Sequence, residues 1–272
     1  MYEFSVLMSL YFKEAPINLE ECLNSLSIQT LMPNEIIIVF DGPLSEELTL
    51  VVDKWESLLP IKTIKLQENV GLGKALNVGL EYCQHDLVAR MDTDDICFED
   101  RFEKQIKQFQ EDSNLTICGS HIFEFNGENN EIISHRKVPL VHKDIVESCI
   151  KINPFNHMTV MYKKSDILSV GGYKHFPWME DWFLWLRLLA NGYKAINIDD
   201  NLVKARTGLS MIKRRSGIAY VKSEWNISKV KVSLGLTSMP RAFIIFLYRA
   251  LPRLLPKWML YIVYKISRGK YE

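Results

Sequence analysis

The segment EIIIVFDGP at residues 35–43 determines how the first half of the chain is expected to fold. Its largely apolar, β-branched start is typical of a strand buried on both faces of a parallel sheet. The Asp-Gly-Pro that follows ends this strand, because glycine and proline favour turns. A second segment, LVARMDTDD at residues 87–95, has the same form and also stops at an aspartate.

Around these two segments, predicted strands alternate with predicted helices. Asn18 and Ser45 are each expected to cap a helix through a side-chain oxygen. The alternation predicts an α/β fold with a mostly parallel sheet flanked by helices. The further strands are expected at residues 4–9, 61–66 and 115–119, and the helices at 18–29, 45–55, 74–82 and 101–110.

The middle of the chain has a different pattern. Residues 122–125 and 131–135 flank Asn126-Gly127, a pair that favours the turn of an antiparallel hairpin. We expect residues 1–215 to form one domain that contains the candidate sites described below, followed by a helical segment at 216–272. Further short strands are predicted at 159–162, 195–198 and 202–205, and an amphipathic helix at 181–191.

The 272-residue chain has an ordinary globular composition, 47% hydrophobic and 24% charged, and a formal net charge of zero. The charges are unevenly distributed, since residues 204–270 hold fifteen Lys and Arg residues and one acid, Glu224. A basic tail favours a polyanionic partner, either an anionic membrane surface or nucleic acid.

The cysteines and the opening residues of the chain indicate the cellular compartment in which the protein is expected to reside. Five cysteines without a CxxC pair are interpreted as reduced thiols of a cytosolic protein. The opening MYEFSVLMSLYFKE is too short and too acidic for a signal peptide. No run of about eighteen apolar residues occurs, so we expect no transmembrane span.

Three carboxylates in the MDTDD segment form the strongest candidate site. Asp92, Asp94 and Asp95 would repel one another unless a cation lay among them. Oxygen ligands of this kind suit Mg²⁺ or Mn²⁺, which bind a pyrophosphate at the same time. The position is also suitable, because ligands of α/β sheets lie beyond the carboxyl ends of strands. The alternative is a solvated acidic loop before the next helix.

Two further segments are candidate sites. In WMEDW, Glu180 and Asp181 lie among aromatic residues at a helix start, where Asp181 is a candidate general base. The acids alternatively serve only to stabilise the helix dipole. In NVGLGKALNVG, at residues 69–79, Gly71 and Lys74 precede a helix and are able to face phosphates. The alternative for this segment is a tight turn with an exposed lysine.

In this order, these segments resemble the family 2 glycosyltransferases of the GT-A fold. The opening SVLMSLYFKE is similar to the first strand of that family, and the resemblance spans residues 4–206. The departures are Ser9-Leu10 where the family usually has Pro-Val, and a single Asp41 before Gly42. The motif FDGP resembles that of the subgroup of these enzymes that builds bacterial O-antigen and exopolysaccharide repeats.

The resemblance implies roles for individual residues. Asp41 would contact the uracil base, and Asp92 would contact the ribose or uridine side. Asp94, helped by Asp95, would ligate the metal ion that binds the diphosphate. Asp181 would be the base, with Glu180 beside it. The residues matched to donor binding are Ser9, Tyr11, Asp41, Asn69, Gly71, Lys74 and Asp92.

The resemblance also implies an acceptor side and an inverting mechanism. Trp178, His157 and Asn156 match residues that line the acceptor, although a structural hydrogen-bonded role is the alternative for His157. Arg214 and Arg215 match a loop that closes on the diphosphate, with a solvated basic turn as the alternative. An α-linked UDP-galactose or UDP-glucose would give a β-glycoside, often β-1,3, on a GlcNAc- or GalNAc-diphospholipid.

The tail at residues 241–270 mixes aromatic and aliphatic residues with Arg and Lys, and Pro252 and Pro256 are expected to divide it. The pattern is typical of interfacial helices on an anionic leaflet. We therefore expect a peripheral enzyme on the inner face of the bacterial cell membrane. The alternative is a pair of helices that packs on the core.

Two rival functions remain. A sugar-nucleotide pyrophosphorylase would need a Gly- and Arg-rich N-terminal phosphate loop, and SVLMSLYFKE has none. A non-catalytic membrane- or nucleic-acid-binding module would explain the tail but neither MDTDD nor MEDW. Nucleic-acid readout would require exposed aromatic residues interleaved with basic ones, so no nucleic-acid partner is expected. UDP-GlcNAc or UDP-GalNAc remain alternative donors.

Overall fold

A computed structural model describes residues 2–127, 129–207 and 217–253. Strands alternate with helices through the first half, as predicted. The strands are β1 Phe4–Leu10, β2 Glu35–Phe40, β3 Ile61–Lys65, β4 Leu87–Arg90, β5 Ile96–Cys97, β6 Leu115–Asn126, β7 Ile132–Arg136, β8 Met161–Lys163 and β9 Lys194–Thr207. The helices are α1 Pro16–Ser27, α2 Glu46–Glu56, α3 Leu72–Tyr82, α4 Arg101–Glu111, α5 His142–Cys149, α6 Lys164–Ser169, α7 Glu180–Ala190, α8 Ile218–Ser233 and α9 Met239–Arg253.

All these strands belong to one mixed sheet with the order β3-β2-β1-β4-β8-β6-β9-β5, and β7 pairs with β6. The four strands β3, β2, β1 and β4 are parallel to one another. Beyond β4, strand β8 is antiparallel to both β4 and β6, whereas β6 and β9 run parallel. The α/β fold is confirmed, and the sheet is mixed: four parallel strands come from the first ninety residues, and β6 and β9 form a second parallel pair.

The sheet is covered on both faces, which explains its continuous apolar strands. Successive side chains of β1 alternate between faces. Val6 and Met8 join a core cluster with α1, α2 and α4, while Leu7 joins a second cluster with α3 and α7. Every residue of β2 is buried, as expected for a central strand of a two-sided sheet.

The two predicted helix caps have different outcomes. Ser45 caps α2 as predicted, because its Oγ accepts a hydrogen bond of 3.3 Å from the amide of Leu48. The cap at Asn18 is wrong: α1 begins two residues earlier, at Pro16. Proline suits the first helical turn, since its fixed φ is already helical and no hydrogen bond is lost there.

The hairpin around Asn126-Gly127 is confirmed by the antiparallel pairing of β6 with β7. The strands predicted at 115–119 and 122–125 are both parts of β6, and those predicted at 195–198 and 202–205 are both parts of β9. Strand β6 runs unbroken for 12 residues and β9 for 14, and their mutual register shifts between Ser120 and Ile122. Polar residues at the shift interrupt the apolar pattern, but the backbone ladder continues through the irregularity.

The C-terminal helices α8 and α9 confirm the predicted helical segment. Tyr220 and Ile227 of α8 belong to the same core cluster as Trp182 of α7. Pro252 lies within α9, which extends to Arg253, so it does not end the helix. Pro256 lies outside the described residues. The boundary between domains at residue 215 stays a prediction.

Within the described ranges, no helix combines the length and the apolar character that crossing a membrane would require. The five cysteines, Cys22, Cys83, Cys97, Cys118 and Cys149, are all buried and free.

Candidate active site

The predicted site residues meet at one edge of the sheet because of strand topology. Strands β2, β1 and β4 are parallel neighbours, so their carboxyl ends lie side by side. Asp41 follows β2, Tyr11 follows β1, and Asp92 follows β4 closely. Segments that are up to 81 positions apart in the chain are thereby brought to one crevice.

Asp92, Asp94 and Asp95 form a compact acidic cluster, with one carboxylate oxygen from each lying within 4.8 Å of the others. Burial, together with the carboxylates of Asp92 and Glu14, raises the pKa of Asp94 to about 7. Burial also raises the pKa of Asp95, with Asp94 and Asp92 adding to the effect. Negative charge in this cluster is therefore incompletely balanced by the protein.

The donor set of the cluster fits a divalent cation. Asp95 is 2% exposed, and its Oδ2 has no hydrogen-bond partner within the part of the chain that the structure describes. A buried acceptor without a partner is costly, and a bound cation would satisfy it. Three carboxylate oxygens suit Mg²⁺ or Mn²⁺ better than a soft metal. The residues present therefore agree with the predicted metal, although its presence stays a prediction.

Two arginines hold the acidic cluster in place. Arg90, the last residue of β4, is almost fully buried and donates from Nη2 to Oδ1 of Asp92. Arg206, near the end of β9, donates its amide to Asp95 Oδ1 over 2.7 Å and its Nε to the carbonyl of Asp94 over 3.0 Å. Its Nη2 pairs with Glu21 of α1. The cluster is thus tied to three elements of the fold.

Asp41 connects the end of β2 to the glycine-containing loop. One carboxylate oxygen accepts a hydrogen bond of 2.7 Å from the amide of Val70, and the other accepts 3.1 Å from Gly71. The side-chain amide of Asn69 donates from Nδ2 to the Asp41 carbonyl over 3.1 Å. A Cβ on Gly42 would lie only 2.7 Å from the backbone nitrogen of Asn69, so this close approach requires glycine.

The glycine-containing loop lies against the segment that carries the candidate base. Gly71, Gly73 and Lys74 line a cavity of about 140 Å³ together with His175 and Glu180. A Cβ on Gly73 would be 3.4 Å from Cγ of Glu180. Two of the three sequence segments singled out for chemistry therefore share one small cavity, with Lys74 as the exposed cation at its edge.

Asp181 and Glu180 occupy the first turn of α7, as predicted. Oδ2 of Asp181 accepts a hydrogen bond of 2.6 Å from Nδ2 of Asn153. Burial raises the pKa of Glu180, and the neighbouring Asp181 raises it further. The half-buried Asp181 carboxylate is accordingly held in one orientation, next in the chain to Glu180, which lines the cavity.

Trp178 precedes α7 in a strained conformation. Its φ is +64°, a region that non-glycine residues adopt rarely and at a cost of about 1–3 kcal/mol. The side chain is 46% exposed and its ring lies 5.8 Å from that of Tyr220 in α8. An exposed indole at this position offers a flat apolar face beside the candidate base.

His157 and Asn156 have structural contacts. His157 Nε2 lies 2.9 Å from the hydroxyl of Tyr173, and burial, with the nearby Arg90, lowers the pKa of His157 well below its usual range. Asn156 is fully buried and donates to the carbonyl of Ser120 over 2.8 Å. Because Asn156 is buried, it has no exposed surface that an acceptor sugar could contact. A role for the neutral His157 in binding the acceptor sugar stays a prediction.

Tyr173 lies close enough to both parts of the site to interact with their charges. Burial raises its pKa most, and the carboxylates of both Asp181 and Asp92 contribute to the rise. Ser9 lies half-buried near the end of β1, and Tyr11 is exposed just beyond it. Arg214 and Arg215 lie outside the described residues.

Arg206, Asn153 and Tyr173 were missed as site residues from sequence. Asn153 and Tyr173 lie within five residues of predicted site residues, but only the packing shows which side chains they contact. Arg90 had a local signal: it is the one charged residue in the strand LVAR. A charge inside a fully buried strand requires a partner, and the aspartate two residues later supplies it.

Comparisons with known proteins agree with this geometry. The model of Glycosyl transferase family 2 matches residues 5–169. Over 265 residues the chain is 44% identical to the amylovoran biosynthesis glycosyltransferase AmsE of Erwinia amylovora, covering 97% of this chain and 99% of that protein. Over 206 residues it is 43% identical to the UDP-Gal:alpha-D-GlcNAc-diphosphoundecaprenol beta-1,3-galactosyltransferase of Escherichia coli, covering 75% of this chain and 74% of that protein.

Solved structures agree on the fold. S. aureus TarS 1-349 in complex with UDP-GlcNAc matches with a TM-score of 0.66 at 19% identity, over 92% of this chain and 72% of that one. A longer TarS chain is covered over 43% of its length. The mannosyltransferase PcManGT from Pyrobaculum calidifontis, in complex with GDP-Man and Mn²⁺, matches with a TM-score of 0.61 at 16% identity, over 98% and 86% of the two chains.

The fold is therefore that of a glycosyltransferase of the GT-A type. The chain belongs to glycosyl transferase family 2. The predicted family, fold class and enzyme class are confirmed.

Proposed function

We propose that this enzyme transfers galactose or glucose from a UDP-sugar to a lipid-diphosphate-linked GlcNAc or GalNAc, with inversion and through a β-1,3 bond. The product belongs to O-antigen or exopolysaccharide repeat-unit synthesis. The observation that carries the proposal is the acidic cluster at the carboxyl edge of the parallel strands, together with the cavity that Glu180, next to Asp181, shares with Gly71 and Lys74. The specific sugars rest on the name of the Escherichia coli relative, which is 43% identical.

On the donor side, Asp41, the loop at residues 69–74 and Asp92 surround the position for the nucleotide. Asp94 and Asp95 would hold Mn²⁺ or Mg²⁺ against the diphosphate. When bound, the cation stabilises the charge that develops on the departing UDP. The guanidinium of Arg90 holds the Asp92 carboxylate and the backbone amide of Arg206 holds that of Asp95, so that the carboxylates are arranged before the donor arrives.

On the acceptor side, Asp181 takes the proton of the attacking hydroxyl. The oxygen then forms a bond to the anomeric carbon while the bond from that carbon to the diphosphate breaks, and UDP leaves. Attack from the face opposite UDP inverts the anomeric configuration. General-base assistance of this kind is worth about 10²–10⁴-fold in rate. Trp178 provides the flat surface on which the acceptor sugar rests.

The outer face of α9 supports a membrane-bound acceptor. Phe243, Ile244, Leu247, Tyr248 and Leu251, here called the α9 apolar face, are all exposed, Ile244 by 67% and Tyr248 by 82%. They recur at helical spacing on one side of α9, whereas Ala242 and Ala250 are buried on the other. A contiguous exposed apolar face marks an interaction surface. We propose that it lies on the inner leaflet of the bacterial cell membrane, where a lipid-linked acceptor resides.

The decisive experiment is a transfer assay with Mn²⁺ and four donors, UDP-Gal, UDP-Glc, UDP-GlcNAc and UDP-GalNAc, against synthetic GlcNAc- and GalNAc-diphospholipids. The expected product is a β-1,3-linked disaccharide from UDP-Gal or UDP-Glc, with the linkage read by NMR. Transfer only from UDP-GlcNAc or UDP-GalNAc would establish the alternative donor. UDP binding without transfer to either acceptor would contradict the proposed acceptor class.

A further inference from the structure

Trp182, which directly follows Asp181, is enclosed by the C-terminal helices. Its Nε1 donates a hydrogen bond of 2.9 Å to the carbonyl of Cys149 at the end of α5. The Nζ of Lys231 in α8 lies 4.0 Å from the ring centre, and the guanidinium carbon of Arg249 in α9 lies 4.7 Å from it. The first turn of α7 is therefore held by cation–π contacts from both C-terminal helices.

All three side-chain nitrogens of Arg249 donate hydrogen bonds. Nε and Nη2 donate to the two oxygens of Glu224 over 2.8 and 2.7 Å, in a bidentate pair. Glu224 is fully buried, so this pair is shielded from water. The remaining Nη1 donates over 3.1 Å to the carbonyl of Lys151. A planar guanidinium held at three points has a fixed orientation.

The hydrogen bond to Lys151 connects Arg249 to Asp181 through a second set of contacts. Two residues after Lys151, Asn153 donates its side-chain amide to Asp181 over 2.6 Å. Oδ1 of the same Asn153 accepts from the amide of Phe155 over 3.2 Å, which fixes the orientation of the amide group. Arg249 therefore contacts both the neighbour of Asp181 in the chain and the segment that carries its hydrogen-bond donor.

We infer that Arg249 is a positioning residue for Asp181, acting through Trp182 and through the segment at residues 151–153. The inference rests on the proposed function, because it takes Asp181 as the base. It assigns to α9 a role in transfer that is separate from the α9 apolar face, since Arg249 lies on the inward side of that helix. A displacement of the base by about 1 Å costs about 10²-fold in rate.

The test compares variants of the full chain in UDP-Gal transfer to a short-chain GlcNAc-diphospholipid. We expect Arg249→Met to lower kcat about tenfold or more, while the Kd for UDP, measured by calorimetry, stays within about twofold. Lys222→Met is the matched control, because Lys222 is an exposed cation of α8, and it is expected to behave like the wild type.

A second variant protects the test against misfolding. Arg249→Met leaves Glu224 buried without its partner, which is strongly destabilising. The double variant Glu224→Gln with Arg249→Met removes both charges and is expected to fold, to bind UDP and to show the same loss of kcat. Loss of UDP binding in both variants would mean a purely structural role and would overturn the inference, as would a folded variant with wild-type kcat.

A double-mutant cycle with Asp181→Asn separates this inference from the proposed function. If Arg249 acts through Asp181, Arg249→Met causes little further loss in the Asp181→Asn background. An equal further loss would overturn the inference and leave the proposed base intact. Full turnover by Asp181→Asn alone would instead show that the proposed base is wrong, whatever Arg249 does.

Discussion

The side-chain amide of Asn153 donates a 2.6 Å hydrogen bond to the carboxylate of Asp181 at the start of α7. The bond occupies one oxygen and leaves the other available to a substrate proton. It also fixes the direction in which the carboxylate points, which a general base requires before the acceptor arrives. Asp181 is thus held by a residue 28 positions earlier in the chain.

The first prediction concerns this base. Asp181→Asn keeps the shape of the side chain but removes proton acceptance, so turnover should fall about 10²-fold or more. The affinity for UDP should be unchanged, since no donor-side residue is altered. Calorimetry and a rate assay measure the two quantities. Turnover within about threefold of the wild type would place the base elsewhere.

The second prediction concerns the acidic cluster. Transfer should stop in excess EDTA and return with Mn²⁺ or Mg²⁺, and Asp94→Ala should abolish it. Because the pKa of Asp94 is about 7, protons compete with the cation near neutrality. The Mn²⁺ concentration for half-maximal activity should therefore rise as the pH falls from about 8 to 6. Undiminished activity in EDTA, or in Asp94→Ala, would disprove the metal site.

The third prediction concerns the α9 apolar face. Changing Ile244, Leu247 and Leu251 together to Gln should abolish co-sedimentation with anionic liposomes, since each buried side chain contributes about 1.5–3 kcal/mol. UDP binding should persist, because the inward face of α9 is untouched. Leu50→Gln with Leu58→Gln, two exposed apolar positions elsewhere, serves as the control. Unchanged sedimentation of the triple variant would refute membrane contact through this face.

The same structure makes truncation before Arg241 a poor test of membrane binding. It would remove Arg249 and leave the buried Glu224 without its partner. The alternative that the tail packs on the core is thus confirmed for one side of α9, whereas membrane contact stays a prediction. One side of α9 packs on the core, and the other is exposed and apolar.

The fourth prediction concerns Lys231. Burial and the nearby Arg249 lower its pKa from 10.5 to about 7. The unfolded chain therefore binds an additional proton between about pH 7 and 10, so the free energy of unfolding should rise with pH over that window, by at most about 1.4 kcal/mol per unit. Glu224 and Cys149 also face this amine.

Lys231→Met should flatten this pH dependence, because it removes the titrating group while keeping much of the side-chain volume. Urea unfolding at pH 7, 8 and 9 measures the slope for both proteins. The exposed Lys222→Met provides the control and should retain the wild-type slope. A rise that is as steep in Lys231→Met as in the wild type would show that another group titrates.

The sequence by itself determined the class of fold and predicted most of the residues of the main site. Strand ends, glycine-containing loops and clustered acids are encoded within a few neighbouring residues, so EIIIVFDGP and LVARMDTDD each predict a strand and the aspartate at its end. The parallel pairing of β1, β2 and β4 then brings Asp41 and Asp92 to one edge. Asp181 was found in the same way, from its place among aromatic residues at a helix start.

Only the tertiary structure decided which residues support that chemistry. Arg206 meets Asp95 across 111 positions of chain, and Arg249 meets Lys151 across 98. Such contacts depend on how separate elements pack, and nothing in the local sequence around either arginine specifies its partner. The same holds for the two sides of α9. The sequence of α9 is amphipathic, but the packing of α8 against it determines which side of α9 is buried and which is exposed.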